Sequence, residues 1–243
     1  FGYFLAHRER LRVGRFKLDL AAYRRILPLG LSEGLNELSN GLVIFLFNHT
    51  ILRVIGEGAL ASYTIISYVN TLVLMTMTGT AQGMQPLVSF HLGAGERKNC
   101  HRLLKYGVSL IAAFSLVSFA LGELGAPAIV SAFLPTDSAV FSYSISALRM
   151  YSSSFLVLGF NVIFAAFFTA VERPVFAFSI SFGRSLVLLV ASLLILSSLF
   201  GDKGIWFSTL CSELLCLCLT AFCAWRYFRS HRRENPLPEA EQV

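Results

Sequence analysis

Four ionisable side chains sit inside otherwise apolar stretches of the sequence: Glu33, Glu37, Arg184 and Glu213. A charge held in hydrocarbon costs about 3 kcal/mol unless it is paired or hydrated, so each marks a place where function repays the expense. Glu37 has no basic residue within two helical turns. A lone carboxylate there suits proton exchange. With the amide oxygens of Asn36 and Asn40 it also offers hard oxygen ligands to a cation. Glu33, one turn earlier, either supports that site or reaches back to the membrane surface. Arg184 and Glu213 face two readings, a buried structural ion pair or a functional pair at mid-membrane. Asn161 either joins the cation site or hydrogen-bonds between helices. Gln82 and Gln85, in "GTAQGMQP", either cap a helix end or line an inward mouth, with Pro86 ending or kinking the helix.

The elements that must position these groups are membrane helices. The chain has 243 residues, 55% hydrophobic and only 14% charged, whereas soluble domains carry about 25% charged residues. A span needs about 20 apolar residues. Six stretches qualify, at about 26–52, 60–84, 104–124, 147–170, 175–199 and 204–228. Counted at 1.5 Å per residue, Glu37, Arg184 and Glu213 all fall about 14–16 Å into their spans, near the middle of a core about 30 Å thick. On a helical wheel Gly30, Gly34, Glu37, Gly41 and Asn48 form one stripe. Glu33, Asn36 and Asn40 flank it, and Leu31, Leu35, Leu38 and Leu42 lie opposite. The acids therefore look inward, beside a small-residue contact stripe.

The net charge of +6 is distributed between the spans and not over one soluble face, which points to a membrane surface and away from nucleic acid. Lys and Arg alternate in density from one connection to the next, from a basic 1–25 segment to a basic end. That alternation places both termini in the cytoplasm. The fold expected is an all-α polytopic membrane protein, a six-helix bundle over 26–228. Residues 1–25 read as the end of a preceding helix and a basic linker, so a piece of chain is expected upstream. Residues 229–243 read as a disordered tail. The five cysteines show no paired spacing and read as packed thiols. No HExxH or phosphate-loop motif is present and no Cys/His pair shares a helical face, so no enzyme activity and no cofactor are expected.

Four stretches, "LPLGLSEGLNELSNG" (27–41), "TGTAQGMQPLVSFHLGAGE" (78–96), "ALRMYSSSFLVLGFN" (147–161) and "GIWFSTLCSE" (204–213), resemble the MATE family of multidrug and toxic compound extrusion transporters, in its MepA-like bacterial branch. The resemblance runs from about Ile26 to Phe228. It implies the C-terminal half of a twelve-helix, two-lobe transporter in a bacterial inner membrane, with the N-terminal six-helix half as partner. It further implies an antiporter exporting small organic cations in exchange for Na⁺ or H⁺. The pattern departs from the family at two points: Asn40 stands where many members carry an acid, and Asn161 is the nearest polar residue to an acid expected in the tenth span. Two alternatives stand beside this reading. One is a lipid-linked precursor flippase of the same superfamily, whose cavity would be more cationic. The other is a non-transporting membrane scaffold.

Overall fold

The computed structural model describes residues 38–39 and 41–234, and those residues are helical with short turns. Glu33, Asn36, Glu37 and Asn40 lie outside the described residues, as does the Gly30–Gly34 part of the stripe. The helices are α1 (Gly41–Val54), α2 (Gly58–Gly93), α3 (Arg97–Leu124), α4 (Ala126–Ser131), α5 (Phe141–Ser152), α6 (Phe155–Ala170), α7 (Pro174–Phe182) and α8 (Leu189–Glu234), with a π-helical stretch over Gly183–Leu188 joining the last two.

α7, the π stretch and α8 form a continuous apolar run, Pro174–Arg229, of 56 residues. Straight, it would reach about 84 Å, far more than one bilayer needs. It folds back at Gly201, whose φ of 60° and ψ of −129° are left to a residue without Cβ. The return is tight. A Cβ on Gly204 would overlap the Leu196 carbonyl. Deeper in, Arg184 meets Glu213 and Cys216 Sγ lies 3.7 Å from the Ile180 carbonyl oxygen. These pairs define an antiparallel hairpin whose arms are the fifth and sixth spans.

The second span is longer than its apolar window suggests. α2 runs 36 residues and passes through Pro86 without stopping, so of the two readings of Pro86, a helix end or a kink, the end is overturned. Pro86 is exposed, and Met84 and Val88 on either side are buried. Packing on the inner face therefore holds the helix while the ring points outward, and the lost N–H is one local defect in a long ladder.

The fourth span, expected as one helix, is two, bent by 42° between α5 and α6. The run Ser152–Ser153–Ser154 explains the break. Each hydroxyl donates to a carbonyl three or four residues back: Leu148 at 2.7 Å, Met150 at 2.6 Å and Tyr151 at 2.8 Å. Side-chain donors compete with the helix's own amides and loosen the ladder there. Below the break α6 threads between α2 and α3. A Cβ on Gly159 would stand 2.7 Å from Ile111 and 2.8 Å from Met77. The connection between the third and fourth spans folds into α4, which buries Ala126 and Val130.

Two buried clusters fill the bundle. One gathers Met77, Val88, Cys100, Phe167, Phe168 and Tyr227. The other gathers Phe47, Ile66, Leu148, Phe155 and Trp206, and there the Trp206 Nε1–H donates to the Tyr143 hydroxyl at 2.8 Å. Large apolar side chains such as Leu72, Leu116, Leu124, Ile195 and Phe222 cover the perimeter. That inversion of the soluble pattern suits a hydrocarbon solvent.

At the turn between α2 and α3, Glu96 is clasped from both sides. Asn99 Nδ2 donates to its Oε2 at 2.9 Å, and His91 Nδ1 lies 2.6 Å from the same oxygen. The Asn99 amide first, and His91 second, hold the carboxyl below its ordinary value of 4.5. A depressed carboxyl stabilises the turn above that ordinary value, and the contribution is lost as pH falls through the lower one. Acidification is therefore expected to deprotect the amides around Arg97–Cys100 in hydrogen-exchange measurements. Glu96→Gln is expected to abolish that pH dependence; an unchanged profile in the variant refutes the clasp.

Candidate functional site

The π stretch places Arg184 on the inner face of the fifth span, a location where such wide turns recur at functional sites. Arg184 Nη1 lies 3.1 Å from Glu213 Oε1. The other carboxylate oxygen accepts from Asn161 Nδ2 at 2.8 Å, and the same amide reaches the Glu213 backbone carbonyl at 3.0 Å. Asn161 Oδ1 in turn accepts from Thr220 Oγ1 at 2.9 Å. The sequence thus brings together three expected residues, Asn161, Arg184 and Glu213. It draws them from the fourth, fifth and sixth spans into one chain of hydrogen bonds and adds Thr220, one helical stripe below Glu213.

The two charges are unequally placed. The Glu213 side chain is 3% exposed and the Arg184 side chain 21%. Both oxygens of Glu213 are engaged, so the carboxylate is satisfied within the protein. Arg184 has five N–H donors, and Glu213 takes up only part of that capacity.

Arg184 and Glu213 line a cavity of 310 Å³. Its wall comes from α1 (Val43, Ile44, Phe47), α2, α5 and α6 (Tyr151, Leu158) and the last hairpin (Ser185, Leu189, Thr209). The α2 contribution is Tyr63, Ser67, Asn70, Thr71 and Leu74. Those residues recur at three- and four-residue spacing, so they form one stripe on an apolar helix. The stripe was the readable signal for the cavity, and a reading centred on charges misses it. Phe47 and Tyr63 stack with ring centroids 5.3 Å apart. Asn70 Oδ1 is buried with no protein partner among the described residues, so it is an acceptor open to a donor from a bound molecule.

Gln82 and Gln85 are not part of this wall. Gln82 is exposed, and Gln85 is half-buried, with Nε2 3.5 Å from the Ala166 carbonyl oxygen. Both lie two to three turns before the end of α2, not at it.

A helical bundle with a polar cavity at mid-depth is an architecture many transporters share, and comparison decides among them. The MatE family model matches residues 34–194. The chain belongs to the MATE family. Its members are transporters and not enzymes. The chain is 24% identical over 207 residues to the multidrug export protein MepA of Staphylococcus haemolyticus, covering 85% of this chain and 42% of that protein. It is 22% identical over 207 residues to an FAD transporter of Shewanella oneidensis, covering 85% and 44%. A solved MATE transporter in an outward-facing conformation superposes with a TM-score of 0.80 at 20% identity, covering 96% of this chain and 53% of that one. A MOP-superfamily transporter from Pyrococcus furiosus, described by the reverse polarity of its binding pocket, superposes at 0.79 with 19% identity, covering 96% and 53%. The chain thus spans under half the length of these curated relatives and about half of the solved transporters. Its fold is the six-helix half of a twelve-helix MATE protein.

Proposed function

We propose that this MATE lobe forms one half of a secondary active antiporter that exports small organic cations, including cationic drugs, in exchange for Na⁺ or H⁺. The observation that carries the reading is the mid-depth cavity, which joins aromatic walls to a buried polar network. The MepA-type relative supports it. Glu37 is the coupling or cargo carboxylate, with Asn36 and Asn40 as oxygen ligands and Glu33 as support. Gln82 and Gln85 line the inward mouth. Residues 26–228 form the lobe, residues 1–25 lead into it from a second six-helix half, and 229–243 form a tail whose first residues, to Glu234, continue α8. The lobe sits in a bacterial inner membrane with both termini cytoplasmic, among membrane lipids, and needs no cofactor beyond the coupling ion. Binding of the ion and of a cationic cargo favours opposite-facing states.

Dye efflux by the two-lobe transporter in proteoliposomes tests this. Glu37→Gln is expected to reduce gradient-driven efflux of a cationic dye by at least about tenfold, as loss of a charge-assisted interaction implies. Unchanged efflux removes Glu37 from the mechanism.

One observation favours a second reading. The cavity charge most open to a ligand is Arg184, since Glu213 is sealed. That polarity suits an anionic cargo, as a lipid-linked precursor flippase would need, and one curated relative is named for FAD. The paired variant R184Q/E213Q, which leaves no buried charge unmatched, separates the two. It is expected to abolish transport of an anion under the second reading and to spare a cationic dye under the first.

A further inference from the structure

The seam between the start of α3 and the end of α8 carries a surface that the cavity does not use. The His101 and Phe228 rings meet there, with centroids 5.2 Å apart. That contact fixes which faces of two antiparallel spans adjoin. To one side of the seam Cys100, Leu104, Cys223 and Tyr227 are buried in the bundle. At about 100° per residue the opposite side receives Lys98, Arg102 and Lys105 from α3. The same rotation on α8, running the other way, brings Phe222, Trp225 and Arg229 to that side as well. All six are exposed.

Four cations therefore share one outward face at one end of the bundle. α3 holds no acid before Glu123, and α8 holds none from Leu214 to Arg229. Glu96, nearest in sequence, is already clasped by Asn99 and His91. The Arg229 guanidinium lies 5.0 Å over the Trp225 ring. Stacking holds its plane on the aromatic face and leaves its N–H edges for acceptors. Trp at this level is the residue that membranes favour at the boundary between headgroup and hydrocarbon. Deeper along the same face of α8, Phe222, Cys218 and Leu215 continue an exposed, mostly apolar track.

We propose that this outer seam is a binding site for an anionic phospholipid, with the headgroup phosphate between Arg102 and Arg229 and the acyl chains along the apolar track of α8. Lys98 and Lys105 add charge on either side. Charge complementarity selects an anionic lipid, and the track below selects a lipid over a free phosphate. The assignment rests on the membrane-spanning fold and is independent of the transported cargo.

Native mass spectrometry of the full chain in non-ionic detergent tests it, with phosphatidylglycerol and phosphatidylcholine of matched acyl chains added in turn. Retention of phosphatidylglycerol is expected to exceed that of phosphatidylcholine. The double variant R102Q/R229Q is expected to weaken phosphatidylglycerol binding roughly 25-fold, about fivefold for each charge, with phosphatidylcholine unaffected. K98Q/K105Q, a second variant at the same seam, is expected to weaken it in the same direction. R53Q, which removes a cation from a different turn, is expected to leave it unchanged. Three results overturn the proposal. They are equal retention of the two lipids, an R53Q loss as large as that of R102Q/R229Q, and displacement of phosphatidylglycerol by millimolar inorganic phosphate.

Discussion

Glu213→Ala is expected to lower the stability of the lobe by about 3 kcal/mol, because it strands a mostly buried guanidinium with no counter-charge. The loss reaches further than one ion pair. Asn161 Nδ2 donates to both the carboxylate and the backbone carbonyl of residue 213, so alanine also removes one of its two acceptors. Thermal unfolding in detergent, followed by tryptophan fluorescence, reads the change. Replacing both charges with apolar residues of similar size, Arg184→Met with Glu213→Leu, is expected to recover most of it, since a matched apolar pair avoids desolvating either ion. The double variant also separates structure from transport. Recovered stability with recovered efflux makes the pair a structural fastening; recovered stability with efflux still absent makes it part of the translocation site.

The second large effect is expected at Gly204. The turn at Gly201 brings the two arms of the last hairpin so close that a Cβ at position 204 overlaps the Leu196 carbonyl and approaches the Ser197 amide nitrogen to 3.1 Å. The obstacle is backbone and cannot swing aside. Gly204→Ala is expected to cost about 3 kcal/mol, the upper end of overpacking penalties. Gly79 supplies the contrast: it sits in α2 with nothing within 4 Å of its would-be Cβ. There alanine is expected to gain about 0.5–1 kcal/mol from reduced backbone freedom alone. Melting curves of the two variants should shift in opposite directions; a shared direction would refute the close-approach argument.

The six-span plan was legible because hydrophobic length and the spacing of charges are written directly in the sequence. The level of Arg184, Glu213 and Asn161 was legible for the same reason, since depth along a span is a matter of counting. What counting could not supply was which atoms would meet. Asn161 admits two readings in the sequence, a cation site on the first span or a helix–helix hydrogen bond, and the fold gives its amide to Glu213 and Thr220. The breaks were also hidden. Pro86 advertises a helix end, yet inner-face packing carries α2 past it. The three serines at 152–154 advertise nothing, yet their hydroxyls bend the fourth span. The cavity depended on a polar stripe from Tyr63 to Thr71 without a charge in it, so attention to ionisable groups alone passed over it.

The π-helical stretch at Gly183–Leu188 has a consequence for the register of the fifth span. A π turn holds one residue more than an α turn, so it acts as an angular spacer between the halves of the span. Above it, Leu193 packs in the bundle; below it, Ile180 does the same. Winding the stretch into a regular α-helix with every residue kept would rotate one half against the other by about 100°. Ile180 and Leu193 could then no longer face inward together. The wider turn thus lets a single helix satisfy two packing registers and leaves Arg184 at the place where they meet.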